Sequence, residues 1–243
     1  MMSFFLIIIE ADSYTYNMTE NGFEIIDDTR LLNYVKEYMS NRNIESEVSQ
    51  QIGKINITIK TDDDTYKNMV ADIILNFYKL NILLDKINFG RLPSLSECAF
   101  LGATLSLEKD IEKEKIIVLA EKTDIKNIEG FYNFCLCGMQ ENWSNLALLS
   151  KKLLSQCKSD KDIYSLTGFM LGIDDNLRKN VVVDYPKLFR GEDNESIEVM
   201  QYFEDVEKNL IMAIMEQNPS DILVMDSQKA SRQFMQVIQS LGE

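Results

Sequence analysis

Alternating apolar and polar residues predict one strand more clearly than any other element of the chain. Residues 54–60 alternate with a period of two, and successive side chains of a strand point to opposite faces of its sheet. This pattern predicts a half-buried strand whose isoleucines face the core. The inward-facing residues are Ile55, Ile57 and Ile59. Apolar runs predict two earlier strands, at 4–11 and 22–26.

Apolar residues three and four positions apart predict helices along most of the remaining chain. A helix over 29–41 has Asp27, Asp28 and Thr29 available as N-caps, and a helix over 66–87 follows three consecutive aspartates. Carboxylates at a helix N-terminus accept hydrogen bonds from free backbone N–H groups and stabilise its positive end. We therefore interpret the three aspartates as capping residues and not as metal ligands.

The longest helix is predicted over 128–156, and a shorter one over 160–171 follows it. Each carries its apolar residues on one side, and such a stripe is usually buried in a core. The stripe of the longer helix comprises Phe131, Phe134, Met139, Trp143, Leu146, Leu149 and Leu153. The stripe of the shorter helix comprises Ile163, Leu166, Phe169 and Met170.

Short strands and helices alternate in the C-terminal part of the chain. The predicted elements are a strand at 181–183, a turn at 188–191, a hairpin partner for that strand at 196–200, a helix over 201–217, a strand over 221–226 and a helix over 229–241. Pro219 ends the helix over 201–217, because proline has no backbone N–H and restricts the residue before it.

The order of these elements predicts an α+β fold in two unequal parts. Arg91–Pro93 interrupts the helices, and Ser94 with Glu97 then forms a capping-box pattern at the next helix start. We place the boundary near residue 90. Residues 1–90 then form a small mixed α/β unit, and residues 91–243 form a mostly helical domain with a short C-terminal β element.

The chain is strongly acidic, with a formal charge of −14 over 243 residues. Such a surface repels phosphate backbones, so nucleic acid is excluded as a partner class, and basic protein partners are favoured. The longest charged segment, 108–115, mixes both signs at helical spacing. This pattern predicts a solvated helix face that only keeps the helix soluble.

Cysteine usage and hydropathy indicate a cytoplasmic protein. Cys98, Cys135, Cys137 and Cys157 are too few for a disulfide framework and are expected to remain thiols. On one helix, Cys135 and Cys137 would point away from each other, which argues against a zinc site. The sequence has no apolar run of about 18 residues that could span a membrane. The apolar run at 4–9 lacks the flanking features of a secretory signal.

The sequence contains no histidine, which removes the commonest general base and most zinc and nucleophile arrangements. It also lacks glycine-rich phosphate-binding loops, so no cofactor is implied. Carboxylates alone can still hold divalent metals for hydrolase or nuclease chemistry. The candidates for such a site lie beside predicted strand or helix ends, and they are Asp174, Asp175, Asp184 and Asp226.

One segment carries a more specific signal than composition does. Residues 128–134, Ile-Glu-Gly-Phe-Tyr-Asn-Phe, with Leu136 and the helix through Trp143, resemble the motif that opens a long helix in the YtxC-like family of sporulation proteins. Residues 209–224 are similar to the family's helix, its proline stop and its closing strand. The likeness covers about residues 65–226.

The chain departs from the family pattern at three places. Cys135 stands where the family has arginine, Asn209 where it has an acidic residue, and Met225-Asp226 where a histidine follows the strand. If the family's arginine has a binding role, this chain has lost it. The resemblance implies a spore-forming bacterium, an intracellular location and a role in sporulation, and it implies no reaction.

The motif itself has a packing interpretation. Gly130 would let the helix approach a neighbour closely while Phe131 and Phe134 fill the gap between them. The same segment supplies the candidate interaction residues, which are Glu129, Gly130, Phe131, Phe134 and Trp143.

Three functional hypotheses remain open from the sequence. The first is a non-enzymatic interaction or scaffold protein, with a role in sporulation. The second is an enzyme that binds divalent metal through carboxylates alone. The third is a homo-oligomeric structural component, since the methionine and aromatic content is sufficient for an apolar interface.

Overall fold

A computed structural model describes residues 19–173 and 179–241, which adopt an α+β fold. The strands are β1 Thr19–Ile26, β2 Glu45–Gln51, β3 Lys54–Thr61, β4 Lys179–Asp184, β5 Lys187–Arg190, β6 Ser196–Ile197 and β7 Pro219–Val224. The helices are α1 Thr29–Asn41, α2 Asp63–Ile73, α3 Leu80–Ile87, α4 Leu95–Ser106, α5 Lys109–Ala120, α6 Ile128–Cys135, α7 Cys137–Leu154, α8 Asp160–Leu171, α9 Val206–Glu216 and α10 Arg232–Leu241. A π-helical segment, Ile74–Lys79, joins α2 to α3.

The strands form two small sheets. The first is antiparallel in the order β1-β3-β2, and the second has the order β6-β5-β4-β7. Within the second sheet, β7 runs parallel to β4, while the other pairs are antiparallel. The strand predicted at 4–11 lies outside the described residues.

The inner face of β3 lies at the centre of the first core. Ile55, Ile57 and Ile59 are all buried in the same cluster as residues of α1 and α2, which confirms the prediction from their alternation. Asp28 caps α1, and Asp62 caps α2 through the Thr65 backbone N–H. Both predicted caps are therefore confirmed. The strand predicted at 22–26 is also confirmed, as part of β1.

The sequence pattern did not predict β2. Every residue of this strand is exposed, so it has no apolar side to produce alternation. This segment forms a strand because it pairs with β3 along its full length. It forms one edge of the first sheet.

A buried ammonium group connects several of the helices. Lys79, at the end of the π-helical segment, is fully buried, and its ammonium donates to the Leu105 and Leu107 carbonyls at 3.0 Å each. Its third bond is to Glu112 Oε2 at 2.7 Å. Glu112 Oε1 accepts from the Trp143 indole at 2.7 Å. Burial lowers the pKa of Lys79, and Glu112 opposes this shift. These contacts connect the π-helical segment, the α4–α5 turn, α5 and α7.

The prediction that 108–115 is only a solvated helix face is therefore wrong. Glu112 is buried, Lys109 forms an ion pair with Glu216, and Lys113 pairs with Asp72 at 2.7 Å. Charged residues of both signs at helical spacing can form ion pairs with residues distant in sequence, as well as face solvent.

The prediction of one helix over 128–156 with a single buried stripe is also wrong. The chain breaks at Leu136 between α6 and α7, and this break changes the rotational phase of the apolar positions. Phe131 and Trp143 are buried as predicted, but Phe134 is 84% exposed and Leu149 is 54% exposed. In α8, Phe169 is likewise exposed, at 66%.

The second core packs α4, α8, α9 and α10 against the second sheet. The capping box of Ser94 and Glu97 at the start of α4 is confirmed. The turn predicted at 188–191 is instead largely strand β5, and β6 pairs with β5 and not with β4. The final two helices begin later than predicted, at Val206 and Arg232.

Side chains from both sides of residue 90 pack together. The cluster around Ile57 also contains Trp143 and Met200. The division into 1–90 and 91–243 stays a prediction about folding units. Within the described ranges, no helix combines the length and apolarity that crossing a bilayer requires.

The backbones of α4 and α9 come close together at Gly102. A Cβ at Gly102 would lie 2.2 Å from the Met212 carbonyl oxygen and 2.9 Å from Met215 Cβ. Glycine is therefore the residue that lets these two backbones touch. Gly130, by contrast, faces only its own cap residue, Asn127, so the predicted close approach of a neighbouring helix at Gly130 is wrong.

Removing the buried cation should destabilise the fold strongly. We expect Lys79→Met to lower the free energy of unfolding by about 3–5 kcal/mol, because it leaves the Glu112 carboxylate buried without its cation. Lys79→Met/Glu112→Gln should recover part of that loss, since the amide oxygen can still accept from Trp143. Urea denaturation measures both.

Lys115→Met is the matched control, because Lys115 is exposed on α5, the helix that carries Glu112. Its free energy of unfolding should stay within about 0.5 kcal/mol of wild type. If the Lys79→Met variant were as stable as this control, that result would contradict a structural role for the buried cation.

Two glycine substitutions should have opposite effects. Gly102→Ala should lower the free energy of unfolding by about 1–3 kcal/mol or more, because α4 and α9 must separate. Gly138→Ala should raise it by up to about 1 kcal/mol, because a Cβ there meets nothing within 4 Å and alanine favours helix. Thermal and urea unfolding measure the change in the free energy of unfolding for each variant. If both substitutions changed it in the same direction, the described packing would be contradicted.

Candidate functional site

A polar cleft of about 360 Å³ lies between the two cores. Its walls come from α1, α2, α5, the strands β4 to β6 and the turn between α9 and β7. Five cations and five carboxylates line it, and these are Arg42, Lys109, Lys113, Lys179, Arg190, Asp72, Asp110, Glu195, Glu198 and Glu216. The cleft is thus balanced in charge, although the whole chain carries −14.

The end of α1 is attached to the segment around β6 by a charged contact. Arg42 Nη1 donates to Glu198 Oε1 at 2.5 Å, and its guanidinium carbon lies 3.8 Å from the centre of the Tyr38 ring. Asn41 donates to Glu198 and Ser196 beside it. The planar guanidinium suits both contacts, because it can stack on a ring and donate in its plane.

Two lysines of α5 attach it to the other walls. Lys109 and Lys113 are one turn apart and so lie on the same side of the helix. Lys109 pairs with Glu216 at the end of α9, and Lys113 pairs with Asp72 of α2. Burial alone would lower the pKa of Lys109, but the pairing with Glu216 outweighs burial and raises it. The Lys109 ammonium therefore stays charged.

Tyr34 and Asn76 also line the cleft. The Tyr34 hydroxyl accepts from Asn76 Nδ2 at 2.6 Å. Burial, together with the surrounding carboxylates, raises the pKa of Tyr34 well above its ordinary value. The carboxylates that act on it are Asp72, Glu198 and Glu216. Tyr34 is therefore held neutral and serves as a hydroxyl group, not as a base.

Two further cations stand at the outer part of the cleft. Lys179 of β4 lies 3.7 Å from Asp110, and Arg190 of β5 pairs with Glu195 at 3.0 Å. Both cations are about a third exposed. They bring positive charge to the side of the cleft formed by the second sheet.

The motif residues predicted from the sequence lie outside this cleft. Phe131 is buried in the first core, and Trp143 donates to Glu112. Glu129 and Phe134 are exposed, while Gly130 is part of the α6 cap. Their role as interaction residues stays a prediction.

The structure brings two of the candidate metal-binding aspartates to one sheet edge. Asp184 ends β4, and Asp226 follows the parallel strand β7. Asp226 pairs with Lys229 at 3.3 Å. Asp174 and Asp175 lie outside the described residues. Among the residues with described positions, no three potential metal ligands cluster together.

Sequence reasoning missed the cleft because its members are far apart along the chain. Lys113 and Asp72 are 41 positions apart, and Lys109 and Glu216 are 107 apart. The available signal was the pair of lysines one turn apart in 108–115. That spacing shows that the two side chains lie together, but it does not identify their partners.

Comparisons with known proteins give no assignment for this site. No family model, curated protein or solved structure matches the chain.

Proposed function

We propose that this chain is a non-enzymatic interaction protein and that the polar cleft is its binding site. The observation that supports the proposal is that each cation of the cleft already has a carboxylate within ion-pair distance. Charges neutralised in pairs are suited to recognising a partner, whereas acid–base catalysis needs groups with strongly shifted pKa values near the working pH.

Sporulation is the biological setting that we propose. It follows from the resemblance of the 128–134 motif to the YtxC-like family. The acidic charge of the chain favours a basic protein partner on its outer surface. The exposed Phe134 ring of that motif is available to such a partner.

A complementation experiment tests the role of the cleft. In a spore-forming source strain lacking the chain, the wild-type gene should restore sporulation, and Lys113→Met/Asp72→Leu should not. Replacing both partners of an ion pair by apolar residues is often neutral for stability, so loss of function would reflect the lost charges. The melting temperature of the purified variant checks its fold.

Lys115→Met is again the matched control and should restore sporulation fully. Full restoration by Lys113→Met/Asp72→Leu would overturn the proposal that the cleft is the binding site. Normal sporulation in the strain lacking the chain would overturn the proposed setting.

A carboxylate-only, divalent-metal-dependent enzyme is the alternative. Its support is the position of Asp184 and Asp226 at one edge of the second sheet. A bound metal would stabilise the folded state, because ligands that bind only the folded chain raise its free energy of unfolding.

Divalent cations separate the two functions in purified protein. We expect the melting midpoint in millimolar MgCl₂ or MnCl₂ to equal that in NaCl of the same ionic strength. A rise in Mn²⁺ that disappears in Asp184→Asn/Asp226→Asn would favour the enzyme and contradict the non-enzymatic proposal.

A further inference from the structure

Two lysines of the cleft retain unused hydrogen-bonding capacity. An ammonium group has three N–H donors. Lys79, in the core, donates to three protein acceptors. Lys109 donates to Glu216 and Lys113 to Asp72, and neither has a second acceptor among the described residues. In the core the donors are satisfied by the protein, whereas in the cleft donors remain for other oxygen atoms.

In three ion pairs of the cleft, formed by Arg42 with Glu198, by Lys109 and by Lys113, the cation is the more exposed partner. The Lys113 side chain is 28% exposed and that of Asp72 is 15% exposed. For Arg42 and Glu198 the values are 26% and 6%. In these three pairs the cation therefore faces the open space of the cleft, while its carboxylate lies deeper in the wall.

The start of α5 adds to this positive environment. Ser106, Lys109 and Asp110, which flank and form the first turn of α5, line the cleft. The N-terminus of a helix carries a partial positive charge and binds anions.

We infer that the cleft binds a small molecule that carries a phosphate or carboxylate group, with Lys109 and Lys113 as the main contacts. This inference rests on the proposed function, since it names the ligand class of the same site. A volume of about 360 Å³ accommodates a metabolite-sized molecule and not a folded protein. The cleft is balanced in charge, but Lys109 and Lys113 are more exposed than the carboxylates they pair with, so an oxyanion in the cleft would contact the ammonium groups first.

Charge-assisted hydrogen bonds explain why an oxyanion fits better than a neutral ligand. Ammonium groups bind carboxylate and phosphate oxygens with shorter and stronger bonds than they form with neutral acceptors. Lys179 lies 3.7 Å from Asp110, which is beyond hydrogen-bond distance. Its ammonium, on β4, is therefore available as a third contact.

Calorimetric titration of the full chain tests the inference with two probes, pyrophosphate and citrate, in a sodium chloride background. Binding of either probe at micromolar to low millimolar concentration supports it. Binding of pyrophosphate alone identifies phosphate as the recognised group, and binding of citrate alone identifies carboxylate. If neither probe binds, the inference is overturned.

Variants show whether binding occurs in the cleft. Lys113→Gln should raise the Kd for the bound probe by about tenfold or more, because it removes one charge-assisted hydrogen bond. Lys115→Gln should leave the Kd unchanged, since Lys115 is exposed elsewhere on α5. Lys109→Gln provides a second variant in case Lys113→Gln fails to fold.

Equal binding by wild type and both cleft variants would overturn the inference. The two proposals fail separately. If neither probe binds while Lys113→Met/Asp72→Leu still fails in complementation, only the ligand class is wrong.

Discussion

The buried ammonium of Lys79 is the constraint on which the arrangement of the helices depends. A charge without access to water must have acceptors for all its donors, because an unpaired buried charge costs several kcal/mol. Here those acceptors come from the last turn of α4, from Leu107 in the α4–α5 turn and from Glu112. Glu112 in turn fixes Trp143 of α7. These bonds have directions, whereas apolar packing alone would let α5 rotate or slide.

Fixing α5 in this way also places the cleft. Glu112 lies between Lys109 and Lys113 in sequence, so the three side chains share one broad side of the helix. When Glu112 points into the core, the two lysines must project beside it, where α2 and the end of α9 meet α5. A structural contact inside the protein thereby determines the direction of the groups available for binding.

The sequence was sufficient for those parts of the fold that are decided locally. The alternation in β3, the aspartate caps and the capping box at Ser94 depend on residues a few positions apart. The predictions failed where contacts between residues distant in sequence determine the structure. Nothing near Glu112 shows that a lysine 33 positions earlier will pair with it, and nothing in β2 shows that β3 will order it. The break at Leu136, which divides the predicted helix into α6 and α7, and the exposure of Phe134 likewise had no local signal.

The π-helical segment between α2 and α3 lets one long helix pack in two different hydrophobic cores. Residues of α2 pack in the core of the first sheet, while Leu80, Leu83 and Ile87 of α3 pack with α4 and α7. A π turn holds one residue more than an α turn, which steps the apolar side around the axis by about 100°. Shortening this segment by one residue would turn every later side chain of the helix away from its neighbours. We therefore infer that the length of residues 74–79 is under constraint, in addition to the identity of Lys79.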